Sequence, residues 1–197
     1  MKSGLDGIRA IPLTPDRAAD WERFFSEDAF ADHPDWASCW CRCFRLPGTI
    51  ADWDAACDAD ANRVPMTSDV RAGTVHGVLA YDGTRVIGWC HADARSAFHF
   101  RAPGQAEASP DAPGAAAIVC FLVAPAWRRR GLTRLLLDAA CAELARCGFA
   151  QVDAYPRKAP EEAAEMFGGP LPVLREAGFS EVAELADRFV LRKMLRS

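Results

Sequence analysis

Residues 115–133 constrain the fold more than any other stretch. A nearly unbroken apolar run, Ala115 to Val123, turns through Pro125, Trp127 and the arginines Arg128, Arg129 and Arg130 into Gly131 and an amphipathic segment. Such a run reads as a strand buried on both faces. Behind it Leu132, Leu135, Leu136, Ala139, Ala140 and Leu144 recur mostly three and four residues apart, which makes one apolar helical stripe. Cys147-Gly148-Phe149 ends that helix with a glycine cap, and Gln151 to Tyr155 reads as the next strand. Strand, helix and strand in succession imply a right-handed crossover and parallel pairing. A ligand then belongs at the carboxyl ends, with Val123, the arginine loop and Tyr155 together.

The first amides of a helix have no intrahelical acceptor and lie at the positive end of its dipole, so this junction suits a pyrophosphate. Gly131 allows close backbone approach. The guanidinium groups of Arg128, Arg129 and Arg130 can clasp phosphate oxygens. A basic run alone would suggest a solvated face or a nucleic-acid patch, but the strand before it and the periodic helix after it favour an anion loop. With 23 basic against 27 acidic residues the net charge is -4, so no protein-wide basic field favours nucleic acid.

A chain of 197 residues, 50% hydrophobic, fits one domain over 1–197. No apolar run approaches a bilayer span and the N-terminus lacks a signal-like segment, so no membrane association and a cytoplasmic location are expected. Of eight cysteines, Cys57, Cys120, Cys141 and Cys147 fall in helical or strand patterns, where a reduced thiol packs as a small hydrophobe.

Elsewhere, Ile8 to Leu13 reads as a strand, followed by Thr14-Pro15-Asp16 as a helix start. Thr49 to Asn62 and Thr67 to Ala72 read as helices joined near Pro65. Val75 to Tyr81 and Arg85 to Ala92 form a hairpin about Asp82-Gly83. Ser96 to Gly114 is expected as a surface loop, Leu171 to Glu176 as helical, and Phe189 to Met194 as a last strand.

Arg128-x-x-Gly131-x-Thr133 after Val123-x-Pro125 resembles the acetyl-CoA pyrophosphate loop of the GNAT superfamily of acyl-CoA-dependent N-acyltransferases. Thr133 departs from the Gly or Ala usual at its position. The resemblance implies a mixed α/β fold, a twisted sheet flanked by helices in which the strand ending at Val123 splays from the one ending at Tyr155. It implies acetyl-CoA as co-substrate, with Phe121, Leu122 and Val123 along the pantetheine and Arg128, Arg129, Arg130, Gly131, Leu132, Thr133 and Arg134 around the pyrophosphate. An oxyanion donor near Leu122 or Val123 follows from the same likeness. Gly88-Trp89-Cys90 and Cys39-Trp40-Cys41-Arg42-Cys43 also resemble a branch of these enzymes.

The activity implied is acetyl transfer to a primary amine of a small molecule, with monomer or homodimer left open. Relatives often carry a tyrosine acid where Leu174 stands here, so Tyr155 is the candidate to replace it and His91, followed by Asp93, a candidate base. His33 with Asp35, or a water chain, are alternatives for the base. Asp20, Asp28, Asp32 and Asp35 would suit a cationic amine. Alternating Cys39, Cys41 and Cys43 would share one side of an extended segment, yet their spacing is poor for zinc, and no metal is expected. The alternative function is a non-catalytic acyl-CoA-binding sensor or regulatory module.

Overall fold

The computed structural model describes residues 5–47, 58–99, 101–160 and 163–195. The strands are β1 (Arg9–Pro12), β2 (Gly77–Asp82), β3 (Arg85–Ala94), β4 (Ala115–Val123), β5 (Gln151–Ala154), β6 (Ser180–Glu184) and β7 (Phe189–Met194). The α-helices are α1 (Ala18–Glu27), α2 (Ala59–Arg71), α3 (Gln105–Ala108), α4 (Leu132–Arg146) and α5 (Leu171–Glu176). Among the described residues the strands make one sheet in the order β1-β2-β3-β4-β5-β7-β6, in which β4 and β5 are parallel and the other neighbours antiparallel.

Two apolar layers cover this mixed sheet. On the front, Trp21, Phe24 and Phe25 of α1 pack with Trp40, Met66, Leu79 and Trp89. On the back, Leu136, Leu137, Ala140 and Leu144 of α4 and Leu174 of α5 pack against Val78, Ile87, Cys90, Val152 and Leu191. Gly88 lets α4 settle closely, since a Cβ there would stand 3.1 Å from Leu132 and 3.2 Å from Leu136.

The apolar strand, the long helix behind it, the hairpin at Gly83 and the final strand fall where the residue pattern predicts. Pro65 does not separate two helices. It lies inside α2, which Asp58 caps by accepting from the Ala61 amide at 2.8 Å, while buried Asn62, Met66 and Val70 hold its inner face; packing overrides the lost backbone donor. The expected helical stretch before Asp58 and Cys57 lie outside the described residues. β6 carries no apolar alternation, because its residues are mostly exposed at the sheet edge. Cys147 is exposed, unlike buried Cys120 and Cys141, because it follows the last turn of α4. The cysteines described are free thiols.

Candidate active site

β4 is paired on both sides only over its first half. Ala115 to Ile118 register with Gln151 to Ala154 of β5, and beyond that point β4 pairs with β3 only. A bulge coincides with the parting: His91 of β3 faces Cys120 and Ala92 faces Ile118, which leaves Val119 extra. The bulge breaks the alternation, so that Val119 and Cys120 both join the front layer while Ile118 and Phe121 join the back. The strand that ends at Val123 thus parts from β5 after Ile118.

Past the bulge the ladder fixes which main-chain groups are free. The Ala124 amide donates to the Ile87 carbonyl at 3.0 Å, so even-numbered residues turn toward β3. The main-chain groups of Phe121 and Val123 therefore face the open side. The Val123 carbonyl accepts from Arg128 Nε at 3.2 Å.

At the end of this trough Arg129 takes φ 61° and Gly131 φ 90°, both left-handed, and Gly131 caps α4. Turns of this hand can gather successive amides into an anion-binding concavity. The Arg134 and Leu135 amides return to the Gly131 carbonyl, while those of Leu132 and Thr133 precede the first intrahelical bonds. Arg129 and Arg130 are exposed, with Arg130 stacked 5.0 Å over the Trp127 ring. Arg128 differs: it pairs with both oxygens of Asp32, and its hydrogen bond holds that carboxyl below the usual range. Arg134 pairs with Asp138 at 2.8 Å, Leu132 is buried, and Thr133 is partly exposed. The arginine side chains thus divide between bracing the loop and charging its rim.

A small cleft opens on the front face beside the bulge, lined by Phe44, Gln105, Val119, Tyr155, Phe167 and Arg188. Tyr155 follows β5 directly, and its hydroxyl lies 2.8 Å from Ser109 Oγ. Ser109 donates to Asp153 at 2.7 Å, and Asp153 in turn holds Arg192 Nε and Nη2, each at 2.8 Å, and Arg95 at 2.8 Å. Burial pushes the Tyr155 phenol above its ordinary value. The supposed surface loop before β4 supplies Ser109 and Gln105, both buried, so its inner side is part of the site. Ser109 and Asp153 escaped the sequence reading. The one available signal was Asp153, a carboxylate inside an apolar strand two residues before Tyr155 and so on the same face.

His91 stands apart from the cleft lining. It is 0% exposed, its ring 5.5 Å from Trp89 and 5.0 Å from Phe98, with neither nitrogen hydrogen-bonded, and desolvation lowers its pKa to about 3. Asp93 turns instead to His76, at 3.0 Å, and Arg45. Asp20 accepts from Tyr81, Asp28 from Arg85 and Asp32 from Arg128, so these acids are matched by the chain's own groups. The cysteine segment is not extended: Trp40 (φ 47°) and Cys41 (φ 53°) are left-handed, and Cys39 and Cys43 Sγ lie 3.8 Å apart. Among the described residues no group of three or more His, Cys, Asp or Glu is placed to hold a metal ion.

The family profile described as "Acetyltransferase (GNAT) family" matches residues 17–167, from the start of α1 to Phe167 beside the cleft. The chain belongs to the GNAT acetyltransferase family. Solved GNAT structures share its fold at low identity. The PaiA N-acetyltransferase from Thermoplasma acidophilum, in complex with coenzyme A, superposes with a TM-score of 0.58 at 9% identity, covering 95% of this chain and 98% of that one. An N-acetyltransferase from Staphylococcus aureus gives 0.56 at 11%, covering 96% and 99%. The GNAT domain of PAT from S. lividans gives 0.54 at 19%, covering 97% and 93%. No curated protein sequence matches the chain. In this GNAT protein Leu174 is 0% exposed and packs in the back layer.

Proposed function

We propose that this protein transfers the acetyl group of acetyl-CoA to the primary amine of a small molecule. The observation that carries the reading is continuity: the free edge of β4 leads from the cleft at Tyr155 and Val119, past the main-chain groups of Phe121 and the amide of Val123, to the amides and exposed arginines around Gly131. A long donor needs such a track, with hydrogen-bonding edge for its amides and a positive terminus for its pyrophosphate. The residues fit it. Phe121, Leu122 and Val123 would flank the pantetheine, and Arg129, Arg130, Gly131, Leu132, Thr133 and Arg134 the pyrophosphate, with Arg128 holding the loop to Asp32.

Bound acetyl-CoA supplies a thioester carbonyl for the amine to attack. The N–C bond forms, the C–S bond breaks, and the proton lost by nitrogen ends on sulfur. An alkylammonium with a pKa near ~10 must first shed a proton. We assign that step to water, because His91 reaches neither solvent nor the cleft lining. Val119 is the residue that the bulge leaves out of the β3 ladder, and it lines the cleft with Tyr155, so we assign the oxyanion to its main-chain amide. Tyr155 is the catalytic side chain of this site.

The test is coenzyme A release with acetyl-CoA and a panel of small primary amines. Turnover that falls about 10²-fold in Tyr155→Phe supports the reading. The burial of Leu174 favours a second reading, a non-catalytic acyl-CoA sensor. Tight acetyl-CoA binding without turnover on any amine would establish it.

A further inference from the structure

The hydrogen bonds behind Tyr155 have only one consistent direction. Asp153 is 0% exposed and held between Arg95 and Arg192, which keeps it an acceptor-only carboxylate. The single hydroxyl hydrogen of Ser109 is therefore given to Asp153, at 2.7 Å. The contact of 2.8 Å between Ser109 Oγ and the Tyr155 hydroxyl must then run from tyrosine to serine. The phenolic hydrogen therefore goes to Ser109, and the oxygen is left to accept, as it does from Gln105 of the same cleft. Gln105 lines the same cleft, its own Oε1 accepting from the Ala102 amide at 3.1 Å.

From this chain we infer that Ser109 is a positioning residue, which sets Tyr155 as a hydrogen-bond acceptor toward the acceptor substrate. The inference rests on the acetyl-transfer reading and deepens it. A phenol so held cannot hand its proton to the departing sulfur while Ser109 stays on Asp153. It can hold an N–H of the incoming amine, which orients the nitrogen lone pair. The residues that fix this polarity are Asp153, Arg95 and Arg192, none of which lines the cleft.

Tyr155 shares the chain with only one other tyrosine, so a spectroscopic test needs no acceptor. Tyr81 hydrogen-bonds Asp20 away from the cleft, and Tyr81→Phe leaves Tyr155 as the sole Raman reporter of phenol hydrogen bonding. In that background the tyrosine doublet should show a donating phenol. Ser109→Ala should remove the donor signature and Ser109→Thr restore it. A phenol that only accepts, or a spectrum indifferent to Ser109→Ala, would overturn the proposal.

Kinetics with the best amine of the panel supply a second arm. Ser109→Ala should raise KM for the amine about tenfold or more and leave KM for acetyl-CoA unchanged. Ser109→Thr should recover most of the loss, and Ser109→Ala added to Tyr155→Phe should cost nothing further. Additive losses, or equal rises in both KM values, would overturn it. If no amine turns over while the donor signature stands, the transfer reading fails and takes the role of Tyr155 with it; loss of the signature with turnover intact overturns the positioning role alone.

Discussion

At the scale of single residues, His91 on β3 and His76 just before β2 have opposite pH signatures. His91 is buried without a polar partner, and desolvation lowers its pKa from 6.5 to about 3, with Asp93 opposing that shift and Arg45 and His76 adding to it. The unfolded chain therefore takes up the proton first. The stability this group contributes is complete above pH 6.5 and falls away as pH drops toward 3, at about 1.4 kcal/mol per pH unit. Denaturant unfolding should show the parent losing about 2 kcal/mol between pH 6.5 and pH 5 that His91→Leu does not lose. An equal loss in both proteins would mean that other groups carry the acid sensitivity. His76 runs the other way: its hydrogen bond to Asp93 raises its pKa, so its contribution is full below the unfolded value and lost as pH rises through the folded one. Because the His76 side chain is 60% exposed, the pair is worth below about 1 kcal/mol. His76→Asn should accordingly destabilise slightly at pH 6 and not at pH 9; the same loss at both would refute the pairing.

Elements show where the sequence can be read and where it cannot. β4 and α4 were legible because nine consecutive buried or half-buried positions and a regular leucine stripe are local patterns. The tight turn at Gly83 was legible for the same reason. The bulge at Val119 was not, because it depends on the register of β3 against β4 and the residues alone carry no mark of it. The cysteine segment misled because alternation was read as an extended strand, whereas left-handed Trp40 and Cys41 turn it. Ser109 was hidden by distance, its partners lying 44 and 46 residues away. Glycines separate steric need from conformational need at this scale. Gly77 has no positive φ, yet a Cβ there would stand 2.3 Å from both the Cys90 carbonyl and the Trp89 ring. Gly83 has φ 58° and open space around it. Gly77→Ala should cost at least about 3 kcal/mol and Gly83→Ala about 1 kcal/mol by urea unfolding. The reverse order would mean that Trp89 moves aside at little cost.

Over the described residues the molecule is a sheet between two apolar layers, and β4 loses its β5 neighbour along its outer half. That opening joins the front cleft to the start of α4, and this continuity is what a long donor and a separate acceptor require. A ligand bound only by the native state at 100 times its Kd adds about 2.7 kcal/mol. For a chain of 197 residues that is a rise of about 5 to 10 °C in Tm. Acetyl-CoA should give such a rise, shrinking at high salt because exposed arginines meet the pyrophosphate. A rise of the same size at low and high salt would place the donor elsewhere.

Calorimetric titration with acetyl-CoA of the parent protein and of Gly131→Asp tests the central claim most directly. The substitution puts a side chain and a negative charge where φ is 90° and the anion is expected. Micromolar, salt-sensitive binding by the parent, lost in the folded variant, is the predicted result. Equal binding by the two proteins, or none by the folded parent, would contradict it.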